Sequence, residues 1–280
     1  MLDCGGKTSI SDGQASRLVV AIKDLPTSSF TVTRIDLSDR EGRVTDEGLQ
    51  SLVGLKDLTH LNLVRTQLTD QGMIYVGGCA KLIDLRVSVT SVSDKGLEQL
   101  RRSSDLKVLG LYNTKVTDAG LQYLAGMTKL GELDLNGTRV TDQGLKHLVG
   151  LQAIHTLGLL DTSIADLGIE QLKALPQLAN LEVGHEVTDV GLKHLKDITK
   201  LTRLIVGGKK VSDAGLIHLQ GMSRLKSLSL GLPQVTDAGL EQLAVLTGLT
   251  DLSFSMPKVS QAGVEKLQRS LPNCKIVRTP

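Results

Sequence analysis

One short pattern returns ten times along this chain with almost no drift, and that constrains the fold more than any other feature. The tetrad Val44-Thr45-Asp46-x-Gly48 recurs as Leu68-Thr69-Asp70-x-Gly72 and Val92-Ser93-Asp94-x-Gly96. It continues from Val116, Val140, Ile164, Val187, Val211, Val235 and Val259, at a step of 24 residues except for 23 between Ile164 and Val187. A fixed period of this size means stacked supersecondary units, none of which can bury its apolar face alone.

Two shorter periods alternate inside each copy. In Leu130-x-x-Leu133-x-Leu135 the last two leucines are two apart, which sends both to one side of an extended strand. In Gly144-Leu145-x-x-Leu148-x-x-Leu151 the spacing of three suits a short helix or helical turn. Thr141 and Asp142, just before it, are residue types that cap helix N-termini. Each copy therefore reads as strand, tight turn and helix, with its leucines aimed at one interior. Composition agrees: apolar residues make up 40% of the chain but aromatics only 2%, so the core is Leu, Val and Ile in many similar layers.

LxxLxLxxT followed by [VIL]-[TS]-D-x-G-L resembles the leucine-rich-repeat family. It is most similar to the T-D-x-G-L subtype found beside F-boxes and in many bacterial proteins, planctomycete ones especially. The resemblance implies an α/β solenoid, a horseshoe or arc with a parallel β-sheet on the concave face and short helices on the convex face. It also implies a binding surface rather than a reaction.

Residues 44–280 form the ten repeats, one continuous solenoid domain, and residues 1–43 read as an N-terminal cap with a degenerate first repeat. Residues 11–24 have the spacing of an amphipathic helix with Leu18, Val19 and Ile22 inward and Pro26 stopping it; Val32-x-x-Ile35-x-Leu37 follows as a first strand. Too few residues precede that strand to hold an F-box. At the other end, Leu271 to Ile276 reads as a final strand with no substantial cap after it. The turn after the strand carries Thr66, Thr90, Thr114, Thr138 and Thr162, a ladder of buried hydroxyls bonding neighbouring backbone. Later copies place Glu186, Lys209, Pro233 and Pro257 there, which predicts changed curvature or a looser edge near 184–210.

Strand residues that do not enter the core face the concave side. They run from Arg34, Asp36, His60, Asn62, Asp84 and Arg86 through the middle copies to Ser253 and Ser255. From these, Tyr112, Leu160 and Ile205 are the candidate partner anchors, flanked by Glu132, Asp134 and Glu182. Three carboxylates there suit a partner with a basic face. The plainer reading is that isolated apolar side chains on a surface are ordinary.

Other groups favour structural readings. His147, His194 and His218 share a helix column that elsewhere holds Ser, Tyr, Gln and Lys, and neighbouring helices are too far apart for two such histidines to share a zinc. The repeated Asp reads as helix capping and as favourable charge at the helix's positive end. The repeated Gly reads as letting helices pack closely, since no phosphate-loop motif accompanies it. Cys79 and Cys274 read as small buried hydrophobes. No catalytic triad, metal site or cofactor site is expected; His60 and Asp84 are concave neighbours without a nucleophile beside them.

A formal charge of +2, from 32 basic and 30 acidic residues, argues against nucleic acid as a partner. No apolar run is long enough for a transmembrane helix and no signal peptide is visible, which favours the cytoplasm. A trimmed gene would leave an extracytoplasmic setting open. The expected role is a monomeric, non-catalytic scaffold or adaptor that binds another protein through the concave sheet. The alternatives are the recognition part of a ubiquitin-ligase-like or effector protein, and a cell-surface or adhesion protein.

Overall fold

A computed structural model describes residues 7–11, 16–19, 30–38 and 43–279 of the chain. It divides into two compact units, Met1–Arg139 and Val140–Pro280.

The first unit carries seven described strands: β1 (Lys7–Ser11), β2 (Ser16–Val19), β3 (Thr31–Asp36), β4 (His60–Asn62), β5 (Asp84–Arg86), β6 (Val108–Gly110) and β7 (Glu132–Asp134). Their order in the sheet is β2-β1-β3-β4-β5-β6-β7. From β3 to β7 neighbours are parallel, with Ile35, Leu61, Leu85, Leu109 and Leu133 in register. A 3-10 helix (Glu47–Leu52), α1 (Asp70–Gly77), α2 (Asp94–Glu98) and α3 (Asp118–Leu121) return the chain between strands.

The second unit repeats the scheme with β8 (Thr156–Leu159), β9 (Asn180–Val183), β10 (Arg203–Val206), β11 (Ser227–Gly231), β12 (Asp251–Ser255) and β13 (Lys275–Arg278), all parallel. Its helices are α4 (Asp142–Leu145), α5 (Asp166–Gln171), α6 (Asp189–Leu195), α7 (Asp213–Leu216), α8 (Asp237–Glu241) and α9 (Gln261–Ser270). In both units the leucine columns form the core: Leu130, Leu133, Leu135, Leu145, Leu148 and Leu151 are all buried.

The T-D-x-G tetrad does more than cap helices. The Thr or Ser is the N-cap: the hydroxyl of Thr69 accepts from Gln71 N–H at 3.2 Å, and that of Thr188 from Val190 N–H at 3.2 Å. The Asp that follows reaches forward into the next repeat. Asp70 accepts from Ser93 N–H at 2.7 Å and from the Ser93 hydroxyl at 2.5 Å. Asp94 does the same with Thr117, Asp189 with Ser212 and Asp213 with Thr236. The hydroxyls of Thr117, Ser212 and Thr236 thus donate to the previous repeat's carboxylate while accepting from their own helices, whereas that of Ser93 only donates. The glycine completes the lock: a Cβ on Gly96 would sit 2.7 Å from Asp70 Oδ1 and 2.8 Å from Val92 Cγ1. The glycine makes room for a carboxylate, not merely for a packed helix. Gly48, with no earlier tetrad in the sequence, has nothing among the described residues within 4 Å of a Cβ. At Ala165 the cap hydroxyl is missing, and Asp142 receives only the backbone N–H, at 2.8 Å.

The threonine ladder of the turns forms, with each hydroxyl serving its own repeat. Thr66, Thr90, Thr114, Thr138 and Thr162 donate to the carbonyl three residues back at 2.6–2.8 Å. The residue before each of them has positive φ: Arg65, Val89, Asn113, Gly137 and Asp161. Among the described residues no later copy has this left-handed residue, and strands lengthen from three residues in β4–β7 to five in β11 and β12. Without the hydroxyl to hold a tight turn, the chain stays extended for longer.

Two terminal expectations are corrected. Ser16–Val19 is a strand, not part of a helix over 11–24; residues 12–15 and 20–24 lie outside the described residues. β1 pairs antiparallel with both β2 and β3. A first parallel strand has an open edge of unpaired N–H and C=O groups, and a hairpin laid along it satisfies them; local helical spacing cannot compete with that demand. At the other end the strand is Lys275–Arg278, four residues later than expected at its start. Cys274 N–H bonds Leu271 C=O at 3.1 Å across Pro272 and Asn273, so that stretch is a turn.

Candidate partner-binding surface

The side of each sheet that faces away from the leucine core is built by strand alternation. In the first unit it has two in-register rows. One is Arg34, His60, Asp84, Val108 and Glu132; the other is Asp36, Asn62, Arg86, Gly110 and Asp134. In the second unit the rows are Thr156, Asn180, Arg203, Ser227, Asp251 and Lys275, and Gly158, Glu182, Ile205, Ser229, Ser253 and Val277.

Three of the six candidate residues lie in the first unit. Tyr112 is 44% exposed, and its ring covers Gly137, where a Cβ would be 3.5 Å from ring carbon Cε2. Its N–H donates to the Ser88 hydroxyl at 3.1 Å, which fixes the backbone beneath the ring. Glu132 is exposed on β7 beside Val108. Asp134 has a structural task as well: Oδ1 accepts from Asn136 N–H at 3.0 Å, closing the turn after the strand. Asp36 with Ser38 and Asn62 with Val64 repeat that bond at 2.9 and 3.1 Å. The local signal was present, because Asp and Asn commonly bond backbone two residues on.

The other three lie in the second unit. Glu182 and Ile205 are register partners on β9 and β10, both half-buried. Arg203 Nη2 is 4.0 Å from Glu182 Oε1. Leu160 is half-buried, with Cδ2 4.0 Å from where a Cβ on Gly207 would lie, two residues beyond Ile205 on the same chain segment. Phe254, by contrast, is core, at 1% exposure.

The Leucine Rich repeat family model matches residues 55–77 and 126–149. Among solved structures, internalin C2 from Listeria monocytogenes is 26% identical, with a TM-score of 0.50 over 74% of this chain and 84% of that one. An internalin F from the same organism is 20% identical, with a TM-score of 0.45 over 91% of each chain. A structure described as a TDR receptor is 18% identical, with a TM-score of 0.57 over 88% of this chain and 42% of that one. No curated protein matches. The fold is a leucine-rich-repeat solenoid.

Two features of this solenoid were not singled out by its sequence. The first is a recess of about 310 Å³ on the open face of the first unit, lined by residues of β1, β3, β4 and β5. Lys7, Arg34, Asp36, His60, Asp84 and Arg86 line it. Arg86 makes two bonds to Asp84, at 3.1 and 3.3 Å. His60 and Asp84 are register partners, as expected, but Asp84 is already held by Arg86. Burial, then the Arg34 cation, hold the His60 imidazole below its usual pKa, and the Thr59 hydroxyl is 2.8 Å from its Nδ1. The recess depends on β1, whose pairing is long-range. The second feature lies on the helix side of the second unit. There the residue just before the repeated glycine is apolar in five successive copies: Leu167, Val190, Ala214, Ala238 and Ala262. Leu167 is 65% and Val190 54% exposed.

The histidine column is half-buried at His147, His194 and His218. Among the described residues no group of three or more His, Cys, Asp or Glu is placed to hold a metal ion. Cys79 and Cys274 are buried, and burial pushes the Cys79 thiol up to about 11. No described helix is long and apolar enough to cross a membrane.

Proposed function

We propose that this chain is a non-catalytic protein-recognition module that uses the open face of its sheet. One observation carries the reading. The core side of the strands from β4 to β12 repeats a buried leucine at one position, whereas the open side changes chemistry at nearly every repeat and presents an exposed Tyr112 over a hydrogen-bonded turn. Varied side chains on a stiff scaffold suit one specific partner, and aromatic anchors ringed by polar groups hold most of the energy at such interfaces. Tyr112 with Glu132 anchors the contact in the first unit, and Leu160 and Ile205 beside Glu182 anchor it in the second. Asp134 contributes charge while holding its turn. The repeat subtype is the T-D-x-G-L class, and the role is that of an adaptor or scaffold. Attachment to a ubiquitin-ligase-like or effector protein, or display at a cell surface, would use the same face.

The test is affinity capture from native lysate with wild-type bait and with a Tyr112→Ala, Glu132→Lys, Leu160→Ala bait, once circular dichroism shows that the variant is folded. Asp134 is left intact, because its substitution would also release the Asn136 turn. A protein held by the wild type and lost from the variant supports the reading; equal capture by both refutes the open-face site. The exposed Leu167 and Val190 favour a second reading, in which the helix side binds. A Leu167→Glu, Val190→Glu bait that alone loses the partner would establish it.

A further inference from the structure

We propose that the recess beside β1 is a pocket for the carboxylate side chain of an acidic peptide segment on the partner, a reading that rests on the open face being the binding surface. The argument is a charge inventory. Asp84 is matched by Arg86, with which it makes two bonds. Asp36 has one oxygen occupied by Ser38 N–H. The side chains of Arg34 and Lys7 make no hydrogen bond or ion pair with a described residue, although both line the recess. Register places Lys7 opposite Asp36 and Ser9 opposite Arg34, so the hairpin strand brings one cation and a hydroxyl-bearing residue to the cation of β3. The core side of the same strand is fixed by Thr8 and Ile10, both buried, which makes the position of Lys7 part of the fold.

An unmatched guanidinium on the open sea of a surface is ordinary. Here it lies in a recess where burial, and then the Arg34 cation, hold the pKa of His60 below its usual value, which disfavours a competing positive charge on the imidazole. A planar carboxylate fits a guanidinium fork through two parallel bonds. The two aspartates in the lining disfavour a dianion such as a phosphoryl group more than a monoanion. The pocket therefore selects a carboxylate over a phosphate. It also separates the two ends of the face in the first unit: cations near β1 and β3, carboxylates at Glu132 and Asp134. A partner segment with an acidic residue at one end and basic residues at the other would match both.

The probe is acetyl-Gly-Glu-Gly-amide, titrated to millimolar levels into isotope-labelled full-length protein. NMR would follow the Arg34 Nε–Hε and His60 Cε1–H signals. Saturable shifts of both are expected, absent with the Gln analogue and about tenfold weaker in Arg34→Gln, the order expected on losing a charge-assisted bidentate contact. Arg34→Lys, which keeps charge without the fork, should fall between. Equal binding of the Gln analogue, undiminished binding by Arg34→Gln, or no saturable shift overturns the proposal. Tighter binding of the phosphoserine analogue overturns the carboxylate assignment. The titration requires no captured partner, so its failure and that of the recognition reading are separate results.

Discussion

The interlock between tetrads makes one substitution do opposite things at two equivalent positions. In Gly96→Ala the new methyl would press on the Asp70 carboxylate at 2.7 Å and on Val92 Cγ1 at 2.8 Å. Relief requires Asp70 to withdraw from Ser93, breaking bonds of 2.7 and 2.5 Å. Hydrogen bonds to a charged group contribute about 1.5–3 kcal/mol each; Asp70 is half-exposed, which favours the lower end, so loss of the two costs about 3 kcal/mol. Alanine returns about 0.5–1 kcal/mol relative to glycine within a helix. The net expectation is destabilisation by about 2–3 kcal/mol. Gly48→Ala meets nothing among the described residues within 4 Å, so only the loss of unfolded-state freedom remains, a gain of about 0.4–1 kcal/mol. Urea unfolding followed by circular dichroism should therefore move the midpoint in opposite directions for the two variants. In an Asp70→Ala background most of the Gly96→Ala cost should vanish, as coupled sites require. Equal effects at both glycines, or full additivity with Asp70→Ala, would refute the interlock.

Ala165→Ser should add the missing hydroxyl rung to Asp142 and cap α5, raising stability by about 0.5–1 kcal/mol in the same unfolding assay. The Ser103 hydroxyl is buried with no hydrogen-bond partner, in a column that elsewhere holds Leu55, Cys79, Met127 and Leu151. Ser103→Ala should accordingly stabilise by about 1 kcal/mol, because an unsatisfied buried donor disappears; a lower unfolding midpoint would refute this. His60 should titrate below about 6.5, its unperturbed value. The folded state then binds fewer protons than the unfolded chain, so this contribution to stability is complete above that pH and is lost as pH falls through it. In Arg34→Gln the His60 NMR titration should move upward, and an unmoved midpoint would remove Arg34 from its surroundings. Cys79 should resist alkylation at neutral pH until the protein is unfolded, since burial keeps its thiol protonated.

The repeat, its strand and helix periods, the leucine core and the face to which each strand residue points were all legible in the chain. Each is a local rule, repeated until one interpretation remained. The open-face rows containing Glu132, Glu182 and Ile205 follow directly from alternation. What was not legible is contact across repeats. Asp70 looked like a capping residue because its own helix offers that explanation; its bond to Ser93 exists only once two copies stack. The same stacking assigns Gly96 its task and leaves Gly48 without one. At the N-terminus the spacing of 11–24 suited a helix, yet Ser16–Val19 joined a hairpin because β3 had an open edge to satisfy. That hairpin carries Lys7 to Arg34 and so creates the charged recess. Periodicity can be read one residue at a time, whereas an edge that needs a partner, or a carboxylate that needs a neighbour, acquires meaning only when distant segments meet.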